Sequence, residues 1–174
     1  MTPLGRHALG PIALSVGSFF ALAWTALTSS SPLLVYNASN SVPAGWYRIA
    51  DARLLATGDL ALVRLPAEIA AFAAQRGYLP STVPLLKTVA AIAPQHVCVQ
   101  SNQVLIDGKL VARQLRWDWQ GRPLPTWQVC RHLVSDELFL LSSNPESFDS
   151  RYFGPISIDA VIGLAQPLRL VTPP

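Results

Sequence analysis

Lys87 is the residue whose setting first demands a chemical explanation. It lies in Leu85-Leu86-Lys87-Thr88-Val89-Ala90-Ala91-Ile92, an apolar run with the length and β-branched content of a strand. With a period of two, Lys87 shares a face with Leu85, Val89 and Ala91, and the other face carries Leu86, Thr88, Ala90 and Ile92. Neither face is polar. A charged amine there is costly, and desolvation lowers a lysine pKa, which frees the amine to act as a general base. The alternative is an edge-strand lysine that snorkels to water. Ser41, in Ser39-Asn40-Ser41-Val42-Pro43, is the matching nucleophile candidate. On its own, a serine two residues before a proline is ordinary turn chemistry. A reactive serine needs a base within hydrogen-bond reach and donors for an oxyanion. Lys87 can be the first, and the Ser41 N–H with the Ser39 hydroxyl can be the second.

Histidine-based catalysis has little to draw on. Among the three histidines, His7 precedes a long apolar segment, and His96 and His132 follow apparent turns and read as surface loop residues. These histidines and the scattered carboxylates show no ligand spacing, so no metal and no cofactor are expected. The charge of +3 on 174 residues is mild, with no basic stripe interleaved with aromatics, which argues against nucleic acid as a partner.

The elements that must position these residues read as follows. Gly10 to Thr28 carries no charge and spans about 28 Å as a helix, close to the hydrocarbon thickness of a bilayer. Arg6 and His7 flank it on the amino-terminal side and no charge follows until Arg48, so the positive end stays in the cytoplasm and the rest is exported. A cleaved signal peptide is the competing reading, with small-residue contexts at Ala21-Leu22-Ala23 and Ser29-Ser30-Ser31. The expected organisation is a cytoplasmic tail over 1–9, an inner-membrane anchor over 10–28, a linker over 29–35 and a periplasmic domain over 36–174. Export makes a disulfide between Cys98 and Cys130 the expected state of the two cysteines.

Hydrophobic residues make up 51% of the chain, and its 15 prolines favour a mainly β, loop-rich domain. Strands are predicted over Leu60–Leu65, Leu85–Ile92, Leu138–Leu141 and Val161–Val171, and a short helix over Pro66–Arg76, which Pro66 opens and Gly77 ends. Val97–Val111 alternates and turns at Asp107-Gly108, a hairpin signal. Tyr36–Tyr47 and Asn144–Gly154 read as loops. Trp117–Pro125 is a polar and aromatic excursion inside an inserted flap over about 98–130.

Three segments, in order, resemble the type I signal peptidases, and more closely the conjugative-transfer (TraF-like) branch. Asn40-Ser41-Val42-Pro43-Ala44-Gly45-Trp46-Tyr47 is similar to the nucleophile box. Pro84 to Ala91 is similar to the lysine box, preceded by the spacer Gln75-Arg76-Gly77-Tyr78-Leu79-Pro80. Ser142-Ser143-Asn144 through Ser147-Phe148-Asp149-Ser150-Arg151-Tyr152-Phe153-Gly154 is similar to the last box. The resemblance implies a signal-peptidase-like β-rich core with a Ser41/Lys87 dyad. It places Ser147 as an orienting hydroxyl beside the amine, Asp149 and Arg151 as a structural ion pair, and Ser39 as the side-chain oxyanion donor. It implies processing of exported precursors, a propilin or conjugative-transfer protein among them, beside a conjugation or secretion apparatus. The acyl-enzyme is open to water or to an amine. Two departures stand out: the family's Gly-Asp-Asn reads Ser142-Ser143-Asn144, and Ala93-Pro94-Gln95 replaces the glycine after the lysine box. A general signal peptidase and a non-catalytic, membrane-tethered assembly factor are the rival functions.

Overall fold

A computed structural model describes Ser18, residues 34–52 and residues 55–168. The expected tail, the anchor apart from Ser18, and His7 lie outside the described residues. Among those described, no helix is long and apolar enough to cross a membrane.

The fold is mainly β, as the alternating and proline-punctuated sequence predicts. The strands are β1 (Leu34–Asn37), β2 (Gly45–Ala50), β3 (Leu60–Val63), β4 (Leu85–Ile92), β5 (His96–Gln100), β6 (Gln103–Ile106) and β7 (Lys109–Arg113). They continue as β8 (Cys130–His132), β9 (Glu137–Leu141), β10 (Ile156–Ser157) and β11 (Val161–Pro167). One sheet runs β1-β2-β11-β3-β4-β9-β10 and the other β7-β6-β5-β8, with every pairing antiparallel. Helix α1 (Ala67–Gln75) starts after Pro66, whose missing N–H costs nothing at a helix start, and carries Glu68 in its first turn. Its Ala70 and Ala73 pack on Ala61, Val63, Leu85 and Val89. Gly77, at φ +71°, ends it, and the Gly77 and Tyr78 N–H groups donate to Ala74 O and Ala73 O.

Several sequence readings change. The loop expected over 36–47 is a hairpin: Tyr36 pairs with Trp46 and Asn37 with Gly45, and β1 also takes the end of the expected 29–35 linker. The flap is a four-stranded sheet from His96 to His132. It holds a second tight turn at Ser101-Asn102, where both residues adopt positive φ as they do at Asp107-Gly108. Asn144–Gly154 is not all loop, because Ser150–Phe153 forms a short helix, α2, capped by Asp149. His96 and His132 stand on strands, registered opposite each other with ring centroids 4.9 Å apart.

In β4, a register shift against β9 between Val89 and Ala91 reverses the alternation. Val89 therefore joins the core under α1, while Ala91 joins the core of the second sheet with Val97, Val104 and Phe139. Lys87 keeps Leu85 and Val89 on its face and loses Ala91. β4 is flanked by β3 and β9, so Lys87 is not on an edge strand and the snorkelling alternative falls away.

Cys98 and Cys130, registered across β5 and β8, form a disulfide that closes a sequence separation of 32. Replacing both by alanine is expected to lower the unfolding free energy by about 3–4 kcal/mol in the chain-entropy account, read from urea denaturation, with the far-ultraviolet circular dichroism unchanged.

Candidate active site

Ser41 sits in the loop of the β1–β2 hairpin, and Asn37 holds that loop in shape. The Asn37 amide donates to the carbonyl oxygens of Ser39 (2.9 Å), Val42 (2.9 Å) and Pro43 (3.2 Å). Its Oδ1 accepts from the Ser39 N–H (3.1 Å) and the Ser39 hydroxyl (2.8 Å). The Tyr47 hydroxyl donates to Pro43 O at 2.6 Å. Buried side chains thus satisfy backbone carbonyls that no neighbouring strand reaches. The Ser41 N–H points at Ser39 Oγ, 3.4 Å away, so the two groups expected as oxyanion donors are bonded to each other in this loop.

Lys87 is brought to Ser41 by β4. It is registered opposite Ala61 of β3, is 1% exposed, and sets its Nζ 2.6 Å from Ser41 Oγ. The same amine bonds Ser147 Oγ, which lies 3.2 Å from Ser41 Oγ. Burial lowers the Lys87 pKa from 10.5 to about 8; the Asp149 carboxylate opposes that shift and the Arg151 guanidinium adds to it.

Asp149 and Arg151 lie behind this trio, 0% and 1% exposed. Arg151 Nε and Nη2 grip Asp149 Oδ1 and Oδ2 at 2.7 and 2.9 Å. Burial holds the Asp149 carboxyl above the usual carboxylate range, and Arg151, Lys87 and the Ser142 N–H offset that rise only in part. Arg151 also donates to the carbonyls of Ser142 (2.8 Å), Pro145 (3.1 Å), Arg113 (3.3 Å) and Asn144 (3.4 Å). The Ser142 N–H donates to Asp149 Oδ2 at 2.9 Å, and the Ser142 hydroxyl donates to Ser41 O at 2.5 Å. The residue that departs from the family's glycine therefore ties the last box to the Ser41 loop.

Sequence reasoning missed Asn37, and it noted Ser142 only as a departure. A lone asparagine four residues before the serine was the available signal for the first. His96 and His132 do not line the cleft that holds Ser41, Lys87 and Ser147. That cleft has a volume of about 720 Å³ and continues along an apolar wall past Phe148, Tyr78, Val83 and Trp117.

A hydroxyl beside a buried amine of lowered pKa can carry out nucleophilic acyl transfer. A family model described as "Signal peptidase, peptidase S26" matches residues 6–169. The chain belongs to this family. Among its relatives, a protein named "Probable conjugal transfer protein TraF" from Sinorhizobium fredii is 38% identical over 148 residues, covering 79% of this chain and 77% of that one. The "Conjugal transfer protein TraF" of Agrobacterium tumefaciens is 34% identical over 172 residues, covering 94% and 97%. A "Plasmid transfer protein TraF" from Escherichia coli is 26% identical, covering 90% and 93%. The crystal structure of a signal peptidase I from Enterococcus faecalis matches 66% of this chain and 98% of its own at 16% identity, with a TM-score of 0.38, too distant a likeness to build on.

The lowered Lys87 pKa ties stability to pH. Between about pH 8 and 10.5 the unfolded chain keeps the proton that the folded chain sheds, so this contribution to stability rises with pH and is lost as pH falls through about 8. Urea unfolding across that window should show the wild type gaining stability relative to Lys87→Met as pH rises. The buried pair behaves differently: Asp149→Ala leaves Arg151 unpaired and should cost about 3–5 kcal/mol in the same measurement, near neutral pH.

Proposed function

We propose that the protein is a serine endopeptidase that processes exported precursors, with Ser41 as nucleophile and Lys87 as general base. The observation that carries this reading is the buried Lys87 amine 2.6 Å from Ser41 Oγ, with its pKa lowered to about 8. Neutral Lys87 takes the hydroxyl proton as Ser41 Oγ attacks the substrate carbonyl carbon. Ser147 accepts a hydrogen bond from the amine and fixes its direction. The Ser41 N–H leaves Ser39 Oγ, the Ser39 hydroxyl releases Asn37 Oδ1, and both turn to the oxyanion. The C–N bond then breaks, and protonated Lys87 hands its proton to the leaving amine. An acyl ester on Ser41 remains, to be released by water that Lys87 deprotonates in turn.

Residues 10–28 anchor the enzyme in the inner membrane, with the catalytic domain on the periplasmic side, where the Cys98–Cys130 disulfide is stable. The substrate is a precursor protein of a conjugation apparatus, a propilin being the leading class. The names of the conjugal-transfer relatives and the Gln75–Pro80 spacer support this over general signal-peptide removal.

The test is to incubate the purified protein with propilin precursors and measure product masses. Wild type should cut at one bond after small residues, and Ser41→Ala and Lys87→Ala should each lose at least about a thousandfold in kcat/KM. The wild-type kcat/KM should fall below about pH 8, as the amine in the free enzyme takes up its proton. Cleavage that survives either substitution would sink the dyad. Normal transfer-apparatus assembly by Ser41→Ala, with no precursor cut by wild type, would point to the non-catalytic assembly role.

A further inference from the structure

The cleft wall formed by segment 115–124 is held by a second buried carboxylate that the chemistry above does not use. Asp118, its side chain 3% exposed, accepts from the Tyr78 hydroxyl (2.6 Å), Arg122 Nε (2.7 Å), and the Gln120 and Arg122 N–H groups (both 2.9 Å). Arg76 stands 3.6 Å away over the Phe72 ring, and Arg122 Nη2 donates to Arg76 O at 2.8 Å. One aspartate thereby ties the end of α1 to the segment 115–124. Burial works against its charge, but these hydrogen bonds outweigh burial and hold the carboxyl below the usual range, so Asp118 stays ionised through neutral pH.

This hub faces the same cleft as the dyad. The Tyr78 ring lies 5.2 Å from Phe148, which follows Ser147, and both rings line the same cleft as Ser41 and Lys87. Trp117, next to Asp118, lines that cleft, is 58% exposed, and forms an isolated bridge to Pro123. A tryptophan left in water at the mouth of an apolar cleft gains most when a ligand covers it.

We infer that Asp118 is a positioning residue for substrate: it latches segment 115–124 onto α1 so that Trp117 and Tyr78 form a subsite for an apolar stretch of the precursor remote from the scissile bond. This rests on the peptidase reading and names the substrate feature that reading leaves open. The occupant is polypeptide, because the subsite is continuous with the cleft in which the peptide bond would be cut. Its energy comes from apolar area, and neither Trp117 nor Asp118 touches the reacting atoms. The latch therefore acts on binding and leaves the chemical step alone.

The experiment compares a short peptide, carrying small residues before the cut, with versions extended by a run of leucine and valine on the amino or the carboxyl side. One extension should lower the wild-type KM about tenfold, as covering one large side chain would. Asp118→Asn and Trp117→Ala should each remove that gain while leaving kcat on the short peptide unchanged. The double variant should lose no more than either single one, since both act through one subsite. Binding of the extended peptide to Ser41→Ala, followed by fluorescence anisotropy, reads the subsite without catalysis; there too, adding Asp118→Asn or Trp117→Ala should weaken binding about tenfold. Failure of the wild type to cut any peptide would therefore overturn the peptidase reading while the binding arm still tests the latch. The latch is overturned if no extension improves binding, if Trp117→Ala keeps the gain, or if a folded Asp118→Asn keeps it. Should Asp118→Asn fail to fold, Trp117→Ala decides the matter alone, because its side chain is largely exposed.

Discussion

The buried pair of Asp149 and Arg151 is the contact on which the rest of the site depends. It lies in neither sheet, yet it reaches three separate pieces of chain. Through Ser142 it holds the start of the last box, and the Ser142 hydroxyl passes that hold on to the carbonyl of Ser41. Through Pro145 and Asn144 it shapes the turn that delivers Ser147. Through Arg113 O it fixes the end of β7, the last strand before the segment that bears Trp117. A lysine in place of Arg151 would present one point charge where the structure uses a planar fork with several donors. A bidentate grip on Asp149 and simultaneous contacts to main-chain carbonyls need that fork.

The pair also sets the electrostatic surroundings of Lys87 without cancelling them. Asp149 favours the charged amine and Arg151 disfavours it, so the two act on Lys87 as a nearby dipole. Desolvation is then free to dominate, which a lone carboxylate at the same place would prevent by pairing with the ammonium. The groups hydrogen-bonded to the amine, Ser41 and Ser147, are neutral hydroxyls, and they stabilise the charged form less than a carboxylate would. A lysine is thereby kept near the pH at which it can both take and return a proton.

Parts of this were legible in the sequence, for local reasons. The apolar run Leu85–Ile92, bounded by Pro84 and Pro94, marks β4 to the residue, and Pro66 and Gly77 bracket α1 because both act through their own backbone. The bulge in β4 was not legible, since Val89-Ala90-Ala91 offers no local signal and the shift is imposed by pairing with β9. β1 and β2 were hidden because their pairing borders a turn-rich stretch whose composition says loop. The ordered boxes brought Ser41, Lys87, Ser147, Asp149 and Arg151 into one expectation, and the structure sets all of them close together. Ser142 and Asn37 escaped because their side chains bond mostly to main-chain atoms, which carry no side-chain signature.

Those main-chain partners explain why the site is built around polar hubs and not around packing alone. Ser41, Ser147 and Trp117 all stand in irregular segments, where carbonyls lack the partners that a ladder provides. Burying such segments against a cleft costs the desolvation of each unpaired group. Apolar packing meets none of that cost. Asn37, Arg151 and Arg122 do, each donating from a planar head to carbonyls of a neighbouring segment. Each hub is also directional, so it fixes where the loop lies as well as that it is buried. Three loops held by three different hubs can vary separately: the Asn37 and Arg151 hubs fix the hydroxyls of Ser41 and Ser147, while the Asp118–Arg122 hub shapes only the far wall. A fold arranged this way can change what fills its cleft without disturbing the serine and the lysine.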